Sequence, residues 1–250
     1  MSFSIYEFPL NEKVRNYLRV EHLFNALHDP DKICKEHTEI QFFRDFFTLL
    51  DLIERIDLKT ELMRDLNNYL IVLDAWLEFP DVDQRALNQT KNHVWDVINR
   101  LKSTTRIGKT LKADKFLMAI RQRFSIPGAT CSFDLPKLHY WLNLEDEEKL
   151  TDCQRWLNDL VLLEDCVKIA LSFIRNRKPL NEENAPNGFY QGIADNKVEL
   201  IRIEQTKNKG YYPTLSGNKY RYSIRFMRFN TEENQSSSMD ETIIFKMAGC

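Results

Sequence analysis

Glycine is scarce in this chain: 7 of 250 residues, the first of them Gly108. Average usage is about 7%. Phosphate-cradling loops need glycine where the backbone closes on a ligand, and no two glycines here stand in G-x-G or G-x-x-x-x-G-K spacing. Nucleotide sites of the Rossmann or P-loop kind are therefore not expected. Long apolar runs are missing too. A membrane-spanning helix needs about 18 or more apolar residues in a row. The most apolar windows, 69–77 and 161–174, are broken by Asp74 and by Glu164, Asp165 and Lys168. The opening MSFSIYEFPLNEK has no basic stretch followed by an apolar run, so no secretory signal is expected. The five cysteines (34, 131, 153, 166 and 250) are odd in number and contain no C-x-x-C, which reads as reduced thiols in the cytoplasm. His22, His28, His37 and His93 form no i, i+4 pair around an acid, so neither a metal nor another cofactor is expected. A net charge of −2 gives no global field that would attract nucleic acid or a membrane.

What is present suits a folded protein, with 43% apolar and 29% charged residues. The texture changes near residue 178. Before it, apolar residues recur at helical spacing. Val14, Leu18, Leu23, Phe24 and Leu27 form one pattern, stopped by Asp29-Pro30. Phe42, Phe43, Phe46, Leu49, Leu50 and Ile53 form a second; Leu58, Leu62, Leu66, Tyr69, Leu70, Leu73 and Leu77 form a third, ending before Pro80. Further helices are predicted over 82–101 and 110–124, 136–142 reads as a short segment, and one or two more helices are predicted over 151–175. After Pro179 the period falls to two. Strands are predicted over 198–203, 219–229 and 241–247, as an antiparallel meander. The stretches 181–187, 212–213, 216–218 and 232–238 read as loops and turns. The expected fold is α+β: a mainly helical domain over 1–178, then a smaller antiparallel β domain over 179–250, with residues 3–8 as a candidate extra strand.

Two charge patterns stand out. Residues 100–123 hold Arg100, Lys102, Arg106, Lys109, Lys112, Lys115, Arg121 and Arg123 against one acid, Asp114. On the 219–229 strand, Lys219, Arg221 and Arg225 share a face with Ser223, opposite Tyr220, Tyr222, Ile224 and Phe226. Like charges side by side on a strand repel, and an anionic ligand would offset that. Solvation or edge protection would explain the same pattern. Chemistry is thinly represented. Cys131, Ser132, Asp134 and His139 are close in sequence, but no oxyanion loop accompanies them, and an enzyme is not expected. Zinc-finger spacing and an RNP1-like pattern are both missing.

Five stretches resemble a known family: YEFPLNEKVRNYLRVEHLF (6–24), FFRDFFTLLDLIER (42–55), RIGKTL (106–111), RQRFSIPGATCSFDLPKLHYWL (121–142), and NGFYQ (187–191) with YPTLSGNKYRYSIRFM (212–227). Together they resemble the ZapD family of bacterial Z-ring-associated cell division proteins. Departures are modest: Phe8, Ala129, Lys115 and Asn218 stand where other residues are common. The resemblance implies a dimeric, non-enzymatic cytoplasmic protein with a helical and a β domain. It implies binding to the C-terminal tail of FtsZ, the tubulin-like division GTPase, and cross-linking of FtsZ filaments at midcell. Its basic binding residues map onto Arg15, Arg19, Arg55, Lys115, His139 and Arg221. Strand alternation adds Lys219 and Arg225. Lys115 keeps the charge but cannot fork onto a carboxylate as Arg would. Arg121 and Arg123 are expected to be partly structural, pairing with acids such as Asp134. Arg15, Arg19 and Lys115 from helices and Arg221 and Arg225 from the strand are expected to converge on one basic surface. A nucleic-acid-binding adaptor using the same patches is the alternative. It would need a long cationic track, whereas a tail binder needs apolar pockets beside its cations.

Overall fold

The structure, a computed structural model, describes residues 2–28, 38–79, 82–195, 197–207, 209–229 and 239–250. Asp29-Pro30, Cys34, His37, Pro80 and the 232–238 stretch lie outside the described residues. The described elements run β1 (Phe3–Pro9), α1 (Glu12–Leu27), α2 (Glu39–Arg55), α3 (Leu58–Trp76), α4 (Gln84–Ser103), α5 (Lys109–Ala113), α6 (Lys115–Phe124), α7 (Pro136–Leu142), α8 (Asp146–Asn158), α9 (Val161–Arg175), β2 (Asn181–Ala185), β3 (Phe189–Ile193), β4 (Leu200–Thr206), β5 (Tyr211–Gly217), β6 (Arg221–Arg228) and β7 (Ile243–Gly249). The fold is α+β: β1 opens the chain, the helices follow, and the remaining strands come after them in antiparallel sheets. The chain divides into two compact units. One joins Met1–Leu18 to Leu171–Cys250; the other is Arg19–Ala170.

In the Arg19–Ala170 unit, α2 supplies the centre of the core. Phe42, Phe43, Phe46, Phe47, Leu49 and Leu50 are buried along one stripe of the helix. Phe43 meets the edge of Trp141 at 5.1 Å between centroids, and Phe46 meets Trp156 at 6.3 Å. The stretch 110–124 is two helices rather than the one predicted. Asp114 divides them: its Oδ1 accepts from the backbone N–H of Phe116 and Leu117 at 2.9 and 3.0 Å. Its other oxygen accepts from Trp156 Nε1 at 3.1 Å. An N-cap of this type is worth about 1 kcal/mol. The acidic run before Leu150 opens α8, with Asp146, Glu147 and Glu148 in the first turn, where the helix dipole favours them.

In the other unit the strands form two antiparallel sheets instead of a meander. Their orders are β1-β4-β7-β2 and β3-β6-β5. β1 pairs with β4 from Phe3↔Thr206 to Pro9↔Leu200. The 181–185 part of the expected polar loop is strand β2, paired with the outer side of β7 from Asn181↔Met247 to Ala185↔Ile243. The expected turns at 212–213 and 216–217 fall within strand β5, which carries Pro213 because it is an edge strand. The inner faces share one core, in which Ile201, Ile203, Ile243, Phe245 and Met247 pack with Tyr222, Ile224 and Phe226. Phe226 and Phe245 lie 5.0 Å apart between centroids. Gly192 is opposite Tyr222 in the β3–β6 register, and a Cβ there would come within 2.3 Å of the tyrosine ring. Only glycine lets that ring lie flat across the strand. Glu7 on β1 is gripped by Arg175 Nη2 at 2.6 Å and Arg202 Nε at 3.1 Å. Asn11 caps α1, accepting from the Val14 N–H at 2.8 Å.

Candidate partner-binding surfaces

Within the helical unit, the family-implied residues Arg19 and Arg55 come together. Arg19, His22 and Leu23 lie on one face of α1; Thr48, Asp51, Leu52 and Arg55 lie on one face of α2. Both sets follow the i, i+3, i+4 spacing that puts side chains on one side of a helix. They line a single cleft of about 360 Å³. Leu23 and Leu52 are half-buried in it, while Arg19, His22 and Arg55 are exposed. The acid in the cleft, Asp51, is held by Arg121 of α6. With Asp51 so engaged, the cleft brings Arg19 and Arg55 together with the apolar side chains of Leu23 and Leu52. Arg55 has no carboxylate partner among the described residues, and it also lines a second recess of about 300 Å³ with Lys59 and Arg106. Leu23, Leu52 and Arg106 were not among the residues the sequence singled out for a site. The shared i, i+3, i+4 spacing around Arg19 and Arg55 was the available signal.

Much of the 100–123 charge is neutralised locally. Arg121 donates to Glu54 Oε1 at 2.8 Å and Oε2 at 3.1 Å as well as to Asp51. Lys112 is 3.1 Å from the same Glu54, Arg123 is 3.0 Å from Asp134, and Arg100 is 3.8 Å from Asp96. The Arg121 hydrogen bonds hold the Glu54 carboxyl down to about 2, against the opposing effect of burial and with help from Lys112. The structural reading of Arg121 and Arg123 is thus visible in geometry, though the partners of Arg121 are on α2. Lys115 differs. It is the exposed first residue of α6 and has no carboxylate partner among the described residues. His139 is exposed on α7. Cys131 turns its thiol to the Gly128 carbonyl at 3.0 Å, a bond within its own turn.

The remaining candidates lie in the other unit. Arg15 on α1 pairs with Glu12 one turn back. Arg221 and Arg225 are exposed on β6, alternating with buried Tyr222, Ile224 and Phe226. Arg225 lies over the Phe189 ring of the neighbouring strand at 5.5 Å. Lys219 is not on the strand. Asn218 Oδ1 accepts from the N–H of Tyr220 at 2.9 Å and of Arg221 at 3.2 Å, which makes 218–221 a turn. Tyr220 is therefore 58% exposed instead of joining the buried face, and Lys219 rests over its ring at 4.9 Å.

Among the described residues no helix is long and apolar enough to cross a membrane. Also among them, no three His, Cys, Asp or Glu side chains are grouped to hold a metal ion. Comparison with known proteins adds the family. Residues 18–225 match the family described as ZapD, cell division protein. The chain is 39% identical over 245 residues to the cell division protein ZapD of Vibrio vulnificus strain CMCP6, covering 98% of each chain. It is 37% identical over 250 residues to that of Photobacterium profundum, covering 100% of both. It is 35% identical over 249 residues to that of Enterobacter sp. strain 638, covering 100% of this chain and 99% of the relative. With a family match over most of its length and relatives this similar from end to end, this chain belongs to the ZapD family of cell division proteins.

Proposed function

We propose that the chain binds the C-terminal tail of FtsZ and, as a homodimer, cross-links FtsZ protofilaments in the cytoplasm at the midcell division site. The observation that carries this reading is the α1–α2 cleft. Arg19 and Arg55 line it together with Leu23 and Leu52, and its acid is engaged by Arg121. An acidic tail with apolar anchors suits such a cleft. A nucleic-acid backbone would use the cations but not the leucines, so the tail is preferred to the adaptor reading. Arg15, Lys115, His139, Lys219, Arg221 and Arg225 are proposed as further tail contacts. The role asks for no bond-making chemistry, and none is proposed. Modest affinity at each site is sufficient, because a dimer offers two sites and a filament displays many tails. Ile71 and Trp76 on α3 and Trp95 on α4, from 44% to 66% accessible, are exposed apolar side chains that contact with a second copy would cover.

Co-sedimentation of the full chain with FtsZ tests the reading. Bundles are expected to pellet with intact FtsZ, to be lost when its last residues are removed, and to decline between about 0.1 and 0.5 M salt as exposed charges are screened. Bundling of truncated FtsZ to the same extent would rule out the tail. A monomer mass by light scattering, with bundling intact, would rule out the dimer.

A further inference from the structure

Strand β1 ends the order β1-β4-β7-β2, and no strand pairs with its outer side among the described residues. The Lys207 N–H donates to the Ser2 carbonyl at 3.0 Å, and the Leu10 N–H to the Glu199 carbonyl at 2.8 Å. Antiparallel ladders alternate, so these two bonds fix the phase of the β1–β4 pair. Ser4, Tyr6 and Phe8 direct their backbone groups at β4; Phe3, Ile5 and Glu7 direct theirs at the free edge. The side chains alternate too. Phe3 and Ile5 are 50% and 48% exposed, while Ser4 and Tyr6 line a recess of about 770 Å³ on the inner side.

The opposite wall of the recess is Tyr211 and Tyr212 of β5, the edge of the second sheet, with Phe229. Among the described residues, the charged side chains lining it are Lys207 and Lys209, and neither has a carboxylate partner there. Burial, and after it the charge of Glu241, raise the Tyr211 phenol above its ordinary value, so one acid stands near the two lysines. Gln205 also lines the recess and is 7% exposed. Its Nε2 donates to the Tyr211 carbonyl at 2.6 Å, and its Oε1 is buried with no partner among the described residues. A buried acceptor left unpaired is costly, so the site is short of one donor. The two edges beside the recess differ. The Phe229 N–H donates to the Gly210 carbonyl at 2.8 Å, which turns the backbone of Tyr211, Pro213 and Leu215 outward on β5. Pro213 has no N–H to give, and Gln205 already occupies the Tyr211 carbonyl. β1 carries no proline before Pro9. Of these two edges, β1 is the one able to extend its sheet.

We infer that β1 takes up an extended acidic peptide as an added strand, with alternate side chains of the peptide entering the recess. Residues opposite one another in a ladder share a face, so peptide residues opposite Ser4 and Tyr6 turn inward, toward the tyrosines and Gln205. Charge complementarity with Lys207 and Lys209 selects acids. The aromatic wall and the unpaired Gln205 Oε1 select a large side chain with an N–H or O–H at its tip. A small anion would meet the lysines and leave the free edge and the aromatic wall unmet. The peptide is taken to be the FtsZ tail; the inference thus rests on the tail-binding reading, and adds to it a contact made through the backbone.

The test uses the full-length chain and a fluorescent FtsZ tail peptide, read by anisotropy at low salt, with amide hydrogen exchange followed by NMR. Saturation with peptide is expected to slow exchange at Phe3 and Ile5 about ten-fold or more, and to change Ser4 and Tyr6 much less, because they are already bonded to β4. Ile5→Pro removes an outward N–H without entering the β4 ladder, and is expected to weaken the peptide about ten-fold, the scale of a lost hydrogen bond at the upper end. Lys209→Glu, at an exposed position between β4 and β5, is expected to weaken it about five-fold and to leave the fold intact. Exchange at Phe3 and Ile5 that is unchanged by peptide, together with native affinity in Lys209→Glu, overturns the added strand whether or not Ile5→Pro folds. The tail reading then stands if the native chain still binds the peptide and Arg55→Glu weakens it. No binding of the peptide by the native chain overturns the tail reading, and the added strand falls with it.

Discussion

The cations of 100–123 and those of 219–225 look alike in sequence and behave differently in the structure. Most of the arginines in the first group end on carboxylates: Arg121 on Asp51 and Glu54, Arg123 on Asp134, Arg100 on Asp96. Arg221 and Arg225 in the second are exposed on alternate positions of β6, and neither has a carboxylate partner among the described residues. A helix face can meet acids from a neighbouring helix packed at about 8–10 Å. The outer face of a strand whose other face is in the core is directed at solvent. Density of charge along a chain therefore says little about charge left over for a ligand. The element beneath it decides. Within the first group Lys115 makes the same point in reverse, because it stands at a helix start where no carboxylate among the described residues reaches it.

The strongest way to break this comparison is to remove Arg121. Its side chain is 17% exposed and holds two carboxylates of α2. Arg121→Ala would leave Asp51 and Glu54 side by side with Lys112 as the remaining cation. A loss of about 2–3 kcal/mol in urea unfolding is expected, below the range for a fully buried pair and well above that for a surface one. Arg221→Ala should stay within about 0.5 kcal/mol of the native chain. Equal losses from the two substitutions would erase the distinction between the groups.

The next test reads binding. Arg221→Glu places a like charge where an acidic tail is proposed to lie, and should weaken a tail peptide about ten-fold, ~1.4 kcal/mol, while urea stability is unchanged. Arg123→Glu, at a position paired with Asp134, should lower stability slightly and leave peptide affinity near its native value. Titrations of both variants against the same peptide decide the matter. If Arg123→Glu weakens binding as much as Arg221→Glu, the paired cations still attract the ligand, and pairing is not what separates the groups.

The helices were readable from spacing because apolar residues at 42, 43, 46, 49 and 50 describe the buried stripe of α2 directly. The break at Asp114 was not, since an aspartate within an apolar pattern reads as a solvated face until its N–H donors are seen. The alternation of β6 was readable from Arg221 onward, and failed at Tyr220, where Asn218 imposes a turn. β2 escaped notice because Asn181–Ala185 has no apolar alternation; its strand character comes from pairing with β7. The order of the sheets depends on pairings such as Phe3 with Thr206, which no local pattern encodes. Among site residues, the Arg19 and Arg55 mapping was available from the resemblance and their shared cleft was not. The acids that neutralise Arg121 lie 70 and 67 positions away in the chain, so its structural role could be guessed but not its partners.

The smallest expected effect is a pH dependence confined to the paired group. Glu54 is held at about 2 by its Arg121 hydrogen bonds, with burial opposing and Lys112 assisting, against an ordinary value of 4.5. A carboxyl depressed on folding stabilises the fold above its unfolded pKa, and that stabilisation is lost as pH falls from about 4.5 toward 2. The group is partly open to water, so the contribution should be about 1 kcal/mol once solvent screening is counted. Urea midpoints of the native chain and of Glu54→Gln measure it. The glutamine variant should be the weaker protein at neutral pH, and the gap between the two should close as pH drops through the window. Arg221→Ala compared with the native chain should show no such closing, because no carboxylate answers Arg221 among the described residues. A gap that stays constant for Glu54→Gln from pH 6 down to about 3 would mean that its link to Arg121 adds nothing that depends on ionisation. The helical cations would then be held by packing of their stems over α2, and the contrast with β6 would be one of burial instead of charge.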